Sequence, residues 1–242
     1  MIGIIGGSGL YEIEELNEKK LVPLDSIYGK PSSSDAVVGS IENIEFAFLP
    51  RHGLNHELNP SEINYRANIE ALKRIGVDKI ISISAVGSLK EEHEPGKFIV
   101  IDQYIDRTFK RKSTFFEGGC VAHVPFGDPV CDSLSNSIIS ALDNNNINHF
   151  NKGTYICIEG PQFSTRVESE LYRSWDCDVI GMTNMPEAKL AREAGICYAS
   201  LAMVTDYDCW HSEHDEVTIE AIQNVIKANI SNAHQLIKSL PN

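Results

Sequence analysis

Positive charge is scarce in this chain: 21 Lys and Arg stand against 34 Asp and Glu, a net charge of −13 over 242 residues. Nucleic acid and anionic membrane both demand basic patches, so neither is an expected partner. A few local cations can still hold a small anion against that mean field. Long apolar runs are missing too, and none reaches the roughly 18 residues that span a bilayer. The first residues form a short strand-like run with no basic flank or long apolar region, so no signal peptide is expected. None of the six cysteines forms a CxxC pair. That usage leads to the expectation of reduced, mostly buried thiols in a cytoplasmic protein, with no zinc site. His52 and His56 have the spacing of a helical metal pair but lack the HExxH glutamate and sit in a loop-like context, so no metal is expected there either. There is no GxSxG elbow, no Gly-Lys-Ser/Thr after a glycine loop, and no third glycine of a dinucleotide fingerprint.

What is present is an ordinary globular composition, 42% hydrophobic and 23% charged. Strand patterns fall at 2–5, 36–40, 45–49, 79–84, 98–105, 155–158, 179–182 and 198–204. Helical patterns fall at 60–74, 129–144, 165–174, 186–194 and 218–240, and 107–128 reads as an irregular functional loop. The alternation predicts an α/β fold: one domain over 1–242, with a central mixed, parallel-rich sheet flanked by helices.

Several of these strands end in chemically suggestive residues. Gly6-Gly7-Ser8-Gly9 offers backbone N–H groups to an anion, or is simply a tight turn. Arg51 and His52 follow the strand at 45–49, where a guanidinium fork and a second donor suit phosphate; a surface turn is the competing reading. Ser84 and Ala85 are small enough to let backbone approach a ligand, or serve sheet packing. Glu159 could accept from sugar hydroxyls and Phe163 could cover a ring, while Thr165 and Glu168 also read as a capping box. Met182 offers an apolar floor and Thr183 a donor, although Pro186 equally marks a plain helix entry. Asp206 and Asp208 stand where the apolar strand 198–204 leaves the sheet, at the end that opens into a ligand crevice in such folds. Desolvation and like charge raise the pKa of at least one of such a pair, and a carboxyl that keeps its proton can give it to a weakly basic nitrogen.

Together the stretches IGIIGGSGLY, LPRHGLNH, INYRANIEALK, ISISAVGSL, IEGPQFSTR and GMTNMPEAKLAREAGICYASLAMVTDYDCW resemble the methylthioadenosine phosphorylase and purine nucleoside phosphorylase family, in its trimeric branch. The resemblance spans nearly the whole chain. It implies attack of inorganic phosphate, a co-substrate, on the anomeric carbon of a purine nucleoside, with no organic cofactor and no metal. It places Ser8, Arg51, His52, Ser84, Ala85 and Thr183 around phosphate, Phe163 and Met182 along the nucleoside, and Asp206 and Asp208 at the base. His123 resembles a histidine that reaches the 5′ end of the nucleoside in a neighbouring subunit, which makes a homotrimer the expected assembly. Ser164 and Ile219 match positions linked to purine and 5′-group choice. A carboxylate accepts from a 6-amino group, and family members acting on 6-oxopurines generally carry Asn there. The expected substrate is therefore 5′-methylthioadenosine; the alternative is a 6-oxopurine nucleoside such as methylthioinosine, inosine or guanosine. A non-catalytic nucleoside- or phosphate-binding protein is a third reading. Ser8 stands where Thr is common. Longer adenosine-type relatives continue past Asn242 into a helix that closes the 5′ pocket, so a more open site that admits adenosine or methylthioinosine is expected here.

Overall fold

Apolar runs rich in Ile, Val and Phe make the interior strands, and small polar residues end them. In the computed structural model, residues 1–7, 10, 13, 16–211 and 219–240 are described, the side chains of 219–224 and 226 excepted. Strands β1 (Ile2–Gly6), β4 (Ile44–Pro50), β5 (Lys79–Ser88) and β11 (Cys197–Asp206) lie parallel in the order β4-β1-β5-β11. On one flank β3 (Asp35–Ile41) pairs antiparallel with β4, and β2 (Asn17–Pro23) closes the edge. On the other, β6 (Phe98–Ile101) runs antiparallel to β11, with the short β8 (His149–Phe150) outside it. Strand β7 (Gln103–Arg107) is parallel to β9 (Thr154–Ile158), β9 to β10 (Val179–Gly181), and β10 meets the far end of β5 antiparallel. The described residues thus form a mixed sheet of 11 strands. Because β6 and β7 are separated only by Asp102, its pairings close a ring through β5, β11, β6, β7, β9 and β10.

Alternation along the strands divides the core between two faces. Ile5, Leu49 and Val204 point to the face covered by α1 (Tyr65–Arg74) and α4 (Asn184–Glu193), through Ile69, Leu72, Ala188 and Leu190. Ile4, Phe48 and Leu201 point to the other, under α2 (Asp132–Asn144) and α5 (Ile219–Lys238), through Ile138, Leu142, Leu236 and Ile237. Helix α3 (Arg166–Ser174) seats Tyr172 in a third cluster with Ile156 and Ile180.

The sequence patterns and the structure part in several places. Strand β2 is polar and exposed, so it carries no apolar signal. The single strand expected at 98–105 is two strands with different partners. Helix α1 starts later than 60; Asn64 caps it by accepting from the Ala67 N–H at 3.1 Å. Finally, the expectation of reduced thiols fails at Cys131 and Cys197, which are joined in a disulfide between the start of α2 and the start of β11. The capping box of Thr165 and Glu168 forms as the sequence reads. Among the described residues no helix is long and apolar enough to cross a membrane.

Candidate active site

The ends of β4, β5, β9, β10 and β11, with Gly7 just after β1, open on one cavity of about 610 Å³. Its walls include Arg51, His52, Ser84, Ala85, Phe163, Ser164, Met182, Thr183, Asp206 and Asp208. Residues scattered over more than 150 positions meet there because parallel strands deliver their C-terminal ends to one edge of the sheet.

One end of the cavity rests on a buried cation. The Arg51 side chain is only 2% exposed. Its Nε donates to Glu187 at 3.0 Å, Nη2 donates to Ser82 Oγ at 2.6 Å and the Ile5 carbonyl at 3.1 Å, and Nη1 donates to the Ile83 carbonyl at 3.2 Å. Burial works against the charge, yet the facing Glu187 carboxylate holds the guanidinium pKa above its ordinary value. The fork offered to an anion by the sequence is therefore largely spent inside the protein. One Nη1 proton is left without an acceptor among the described residues. Ser84 Oγ is buried with no partner among them, and an unpaired buried hydroxyl calls for a ligand atom. Thr183, 6% exposed, lines the same cavity.

His52 behaves differently from the second donor that its sequence position suggests. Its Nδ1 lies 2.9 Å from the Leu58 carbonyl, which can only accept. Burial, and then the charges of Arg51 and His56, push its pKa down to about 4. The neutral ring spends its one N–H on Leu58 and keeps a lone pair on Nε2. His56 stacks on it at 4.3 Å rather than converging with it on a metal.

Carboxyls form the opposite end. The Asp208 N–H donates to Asp206 Oδ1 at 2.8 Å, closing an Asx-type turn that puts Asp208 in the left-handed region (φ 55°), where Asp is tolerated. Ser164 Oγ donates to Asp208 Oδ2 at 2.7 Å. Burial raises the Asp206 pKa above the usual carboxylate range; donation from Thr205 and from the Asp208 N–H would act the other way, and the Asp208 charge adds a further upward push. Burial raises Asp208 as well, against the Ser164 hydroxyl. Tyr207 between them turns away, its hydroxyl donating to the Glu91 carbonyl.

A family model described as the phosphorylase superfamily matches residues 1–241. The chain belongs to the phosphorylase superfamily. Among curated relatives of this phosphorylase, the S-methyl-5′-thioadenosine phosphorylase of Rhodospirillum rubrum is 52% identical over 242 residues, covering 100% of this chain and 82% of the relative. The enzyme of the same name from Koribacter versatilis is 53% identical over 98% of this chain and 81% of its own length. Among solved structures, methylthioadenosine phosphorylase from an Antarctic soil metagenomic library superposes with a TM-score of 0.94 at 52% identity, over 99% of this chain and 84% of that one. The Schistosoma mansoni enzyme in complex with adenine gives 0.94 at 34% identity, over 99% and 90%.

Of the residues singled out in the phosphorylase sequence, the ten named above share the cavity. His123 is exposed in the 107–128 loop and does not line it. Ser8 and the side chain of Ile219 lie outside the described residues. Glu159 is a correction: its carboxylate accepts from the Phe109 N–H at 2.7 Å, from the Lys110 N–H and from Ser61 Oγ, so it anchors the loop and is not free for a sugar.

Sequence reasoning missed Glu187 and Arg111. Glu187 stands alone as an acid among Met185, Ala188 and Ala191 on the buried side of α4, and that isolation was a readable signal. Arg111 comes from the irregular loop. It donates to the carbonyls of Met182 (2.6 Å), Met185 (2.5 Å) and Glu159 (2.8 Å), tying the ends of β9 and β10 together. In sequence it is one of three consecutive basic residues, and nothing local marks it.

Proposed function

We propose that this phosphorylase cleaves 5′-methylthioadenosine with inorganic phosphate, releasing adenine and 5-methylthioribose 1-phosphate for purine salvage. One observation carries the reading: two half-buried carboxyls with raised pKa values share a single cavity with a buried guanidinium and the unpaired Ser84 hydroxyl. The naming of relatives at about 52% identity supports it.

Phosphate is held by Arg51 Nη1, Ser84, the backbone at Ala85 and Thr183, with Ser8 completing the cradle. His52 Nε2 accepts from the P–OH of a hydrogen phosphate. The bound dianion stabilises the cationic sugar that forms as the C1′–N9 bond breaks. The bond electrons pass to the purine, and Asp206 gives its proton to N7 as phosphate oxygen bonds to C1′. Asp208, oriented by Ser164, accepts from the 6-amino group. Met182 and Phe163 line the nucleoside. Ile219 and the neighbouring subunit's copy of the His123 loop complete the 5′ pocket.

That last role needs an assembly, and a homotrimer is part of the reading. Exposed Phe109, Val121, Val167, Leu171 and Trp175 on the His123 loop and α3 support it, since isolated surfaces rarely leave so many large apolar side chains in water. The whole chain acts as one domain. No cofactor enters; phosphate is a co-substrate. The cytoplasm is the setting that suits this substrate, although the Cys131–Cys197 bridge removes the free-thiol argument for it.

The test is a substrate panel with and without phosphate. Adenine release from methylthioadenosine only when phosphate is present is the expected result. Release of hypoxanthine alone, from inosine-type substrates, would replace the reading with 6-oxopurine phosphorolysis.

A further inference from the structure

Strand β11 changes step just before it delivers Asp206. Its register with β5 is unbroken from Cys197 opposite Lys79 to Val204 opposite Val86, and then Asp206 faces Gly87. Thr205 is the extra residue of a bulge, a feature that re-aims the side chain following it. Successive strand residues normally point to opposite faces, yet Thr205 and Asp206 both line the cavity.

Thr205 is 5% exposed. Its Oγ1 lies 2.7 Å from Asp206 Oδ2 and 3.1 Å from the Val86 carbonyl. One hydroxyl proton therefore faces two acceptors, and the carbonyl can do nothing but accept. The other carboxyl oxygen, Oδ1, already takes the Asp208 N–H. A Cβ on Gly87 would stand 3.0 Å from it and 3.1 Å from Ile180 Cγ2, so the glycine leaves room for this close approach. If Asp206 were ionised, its Oδ2 would draw the Thr205 proton away from Val86. If Asp206 is neutral, Oδ2–H donates to Thr205, Thr205 donates to Val86, and every buried group is satisfied.

We propose that Thr205 is a positioning residue that accepts the Asp206 proton in the empty site, holding it on Oδ2, while the Val86 carbonyl takes the Thr205 proton. The assignment rests on the reading of Asp206 as the acid that protonates the departing base. In that step the Oδ2–H bond breaks and an N7–H bond forms, while the glycosidic electron pair leaves with the purine. Thr205 then swings its own proton from Val86 to the new carboxylate. Solvent returns a proton to Oδ2 after product leaves.

Among the described residues, few other charges bear on Asp206. Asp208 stands on the same arm, with Glu168 of α3 behind it. Strands β5 and β10 face it with Val86, Gly87 and Ile180. Arg166 and Arg173 of α3 meet the arm at the Cys209 carbonyl and the Trp210 ring instead. From α5, Ile230 lines the cavity.

The experiment follows the Asp206 carboxyl ¹³C resonance of unliganded protein through a pH titration, assigned by its loss in Asp206→Asn. In Thr205→Val the midpoint should fall by about one pH unit, because a hydrogen bond to the neutral acid is gone. Thr205→Ser should return it to the parent value. A Thr205→Val midpoint that rises or stays put overturns the proposal, as does a Thr205→Ser midpoint that follows Val. Should Thr205→Val not fold, Thr205→Cys, whose sulfur accepts weakly, carries the same expectation and the same overturning result. The falling alkaline limb of kcat/KM should move with the midpoint. Because the carboxyl titrates whatever the substrate, a parent that releases no adenine with phosphate refutes the functional reading and leaves this measurement standing on its own.

Discussion

The two ends of the cavity handle charge in opposite ways. At one end Arg51 is locked to Glu187 and main-chain carbonyls, and His52 is held neutral by burial with its pKa pushed down to about 4. At the other, burial favours the protonated form of Asp206 and Asp208. The first end has its guanidinium and imidazole fixed before a ligand arrives and leaves Ser84 Oγ unpaired; at the second, burial tilts the carboxyls toward holding a proton. A site that must hold an anion still while passing a proton to a base is served by that division.

The sharpest way to break the contrast is Asp206→Asn, which acts on the carboxyl end. Loss of the acid should lower kcat/KM for methylthioadenosine by roughly 10²–10⁴-fold and move preference toward 6-oxopurines. Parallel assays of adenine and hypoxanthine release check it; an unchanged ratio would take Asp206 out of base recognition.

The guanidinium end is broken by Arg51→Met, which leaves Glu187 buried without its cation. Breaking such a pair costs about 3–5 kcal/mol, read by urea denaturation, and the phosphate KM should rise. Adding Glu187→Gln should restore much of the stability but not the phosphate KM. Recovery of both would mean that Arg51 serves the fold alone.

The smallest effects sharpen the comparison through pH. Asp206 and Asp208 have raised folded pKa values, so their stabilisation is complete below the ordinary carboxylate pKa and is lost as pH rises through the raised ones. His52, depressed from 6.5 to about 4, contributes stability above 6.5 that is lost as pH falls toward 4. Thermal melts should therefore lose less stability as pH rises above the ordinary carboxylate pKa in Asp208→Asn, and less as pH falls from 6.5 toward 4 in His52→Asn, than in the parent. Matching slopes in variant and parent would deny the two ends their opposite signs.

How far the sequence reached follows the same line. The strands that deliver the site are apolar runs ending in small or polar residues, so β1, β4, β5, β9, β10 and β11 and their terminal chemistry were legible. Arg51 was found, but not that its fork is spent on Glu187, because a pairing across 136 positions leaves no local mark. The break at Asp102 is equally silent, since 98–105 stays apolar enough to read as one strand. The position of Glu159 at a strand end makes it a possible acceptor from sugar hydroxyls, whereas three donors from Ser61 and the 107–128 loop claim it. The irregularity of that loop was correct as geometry. What orders it is a set of side chains reaching backbone: Arg111 at the strand ends, and Glu193, which accepts from Thr114 and the Phe115 N–H at 2.7 Å each.

The bridge from Cys131 to Cys197, 66 positions apart, ropes off one stretch of chain. Inside that lasso lie Phe163, Ser164, Met182, Thr183 and Glu187; outside it lie Arg51, His52, Ser84 and the aspartates. Tying a denatured chain over that span is worth about 4 kcal/mol in the loop-entropy model. Thiol reductants should thus lower resistance to unfolding without touching any atom that meets substrate, so the lifetime of this catalyst is answerable to redox conditions that its chemistry ignores.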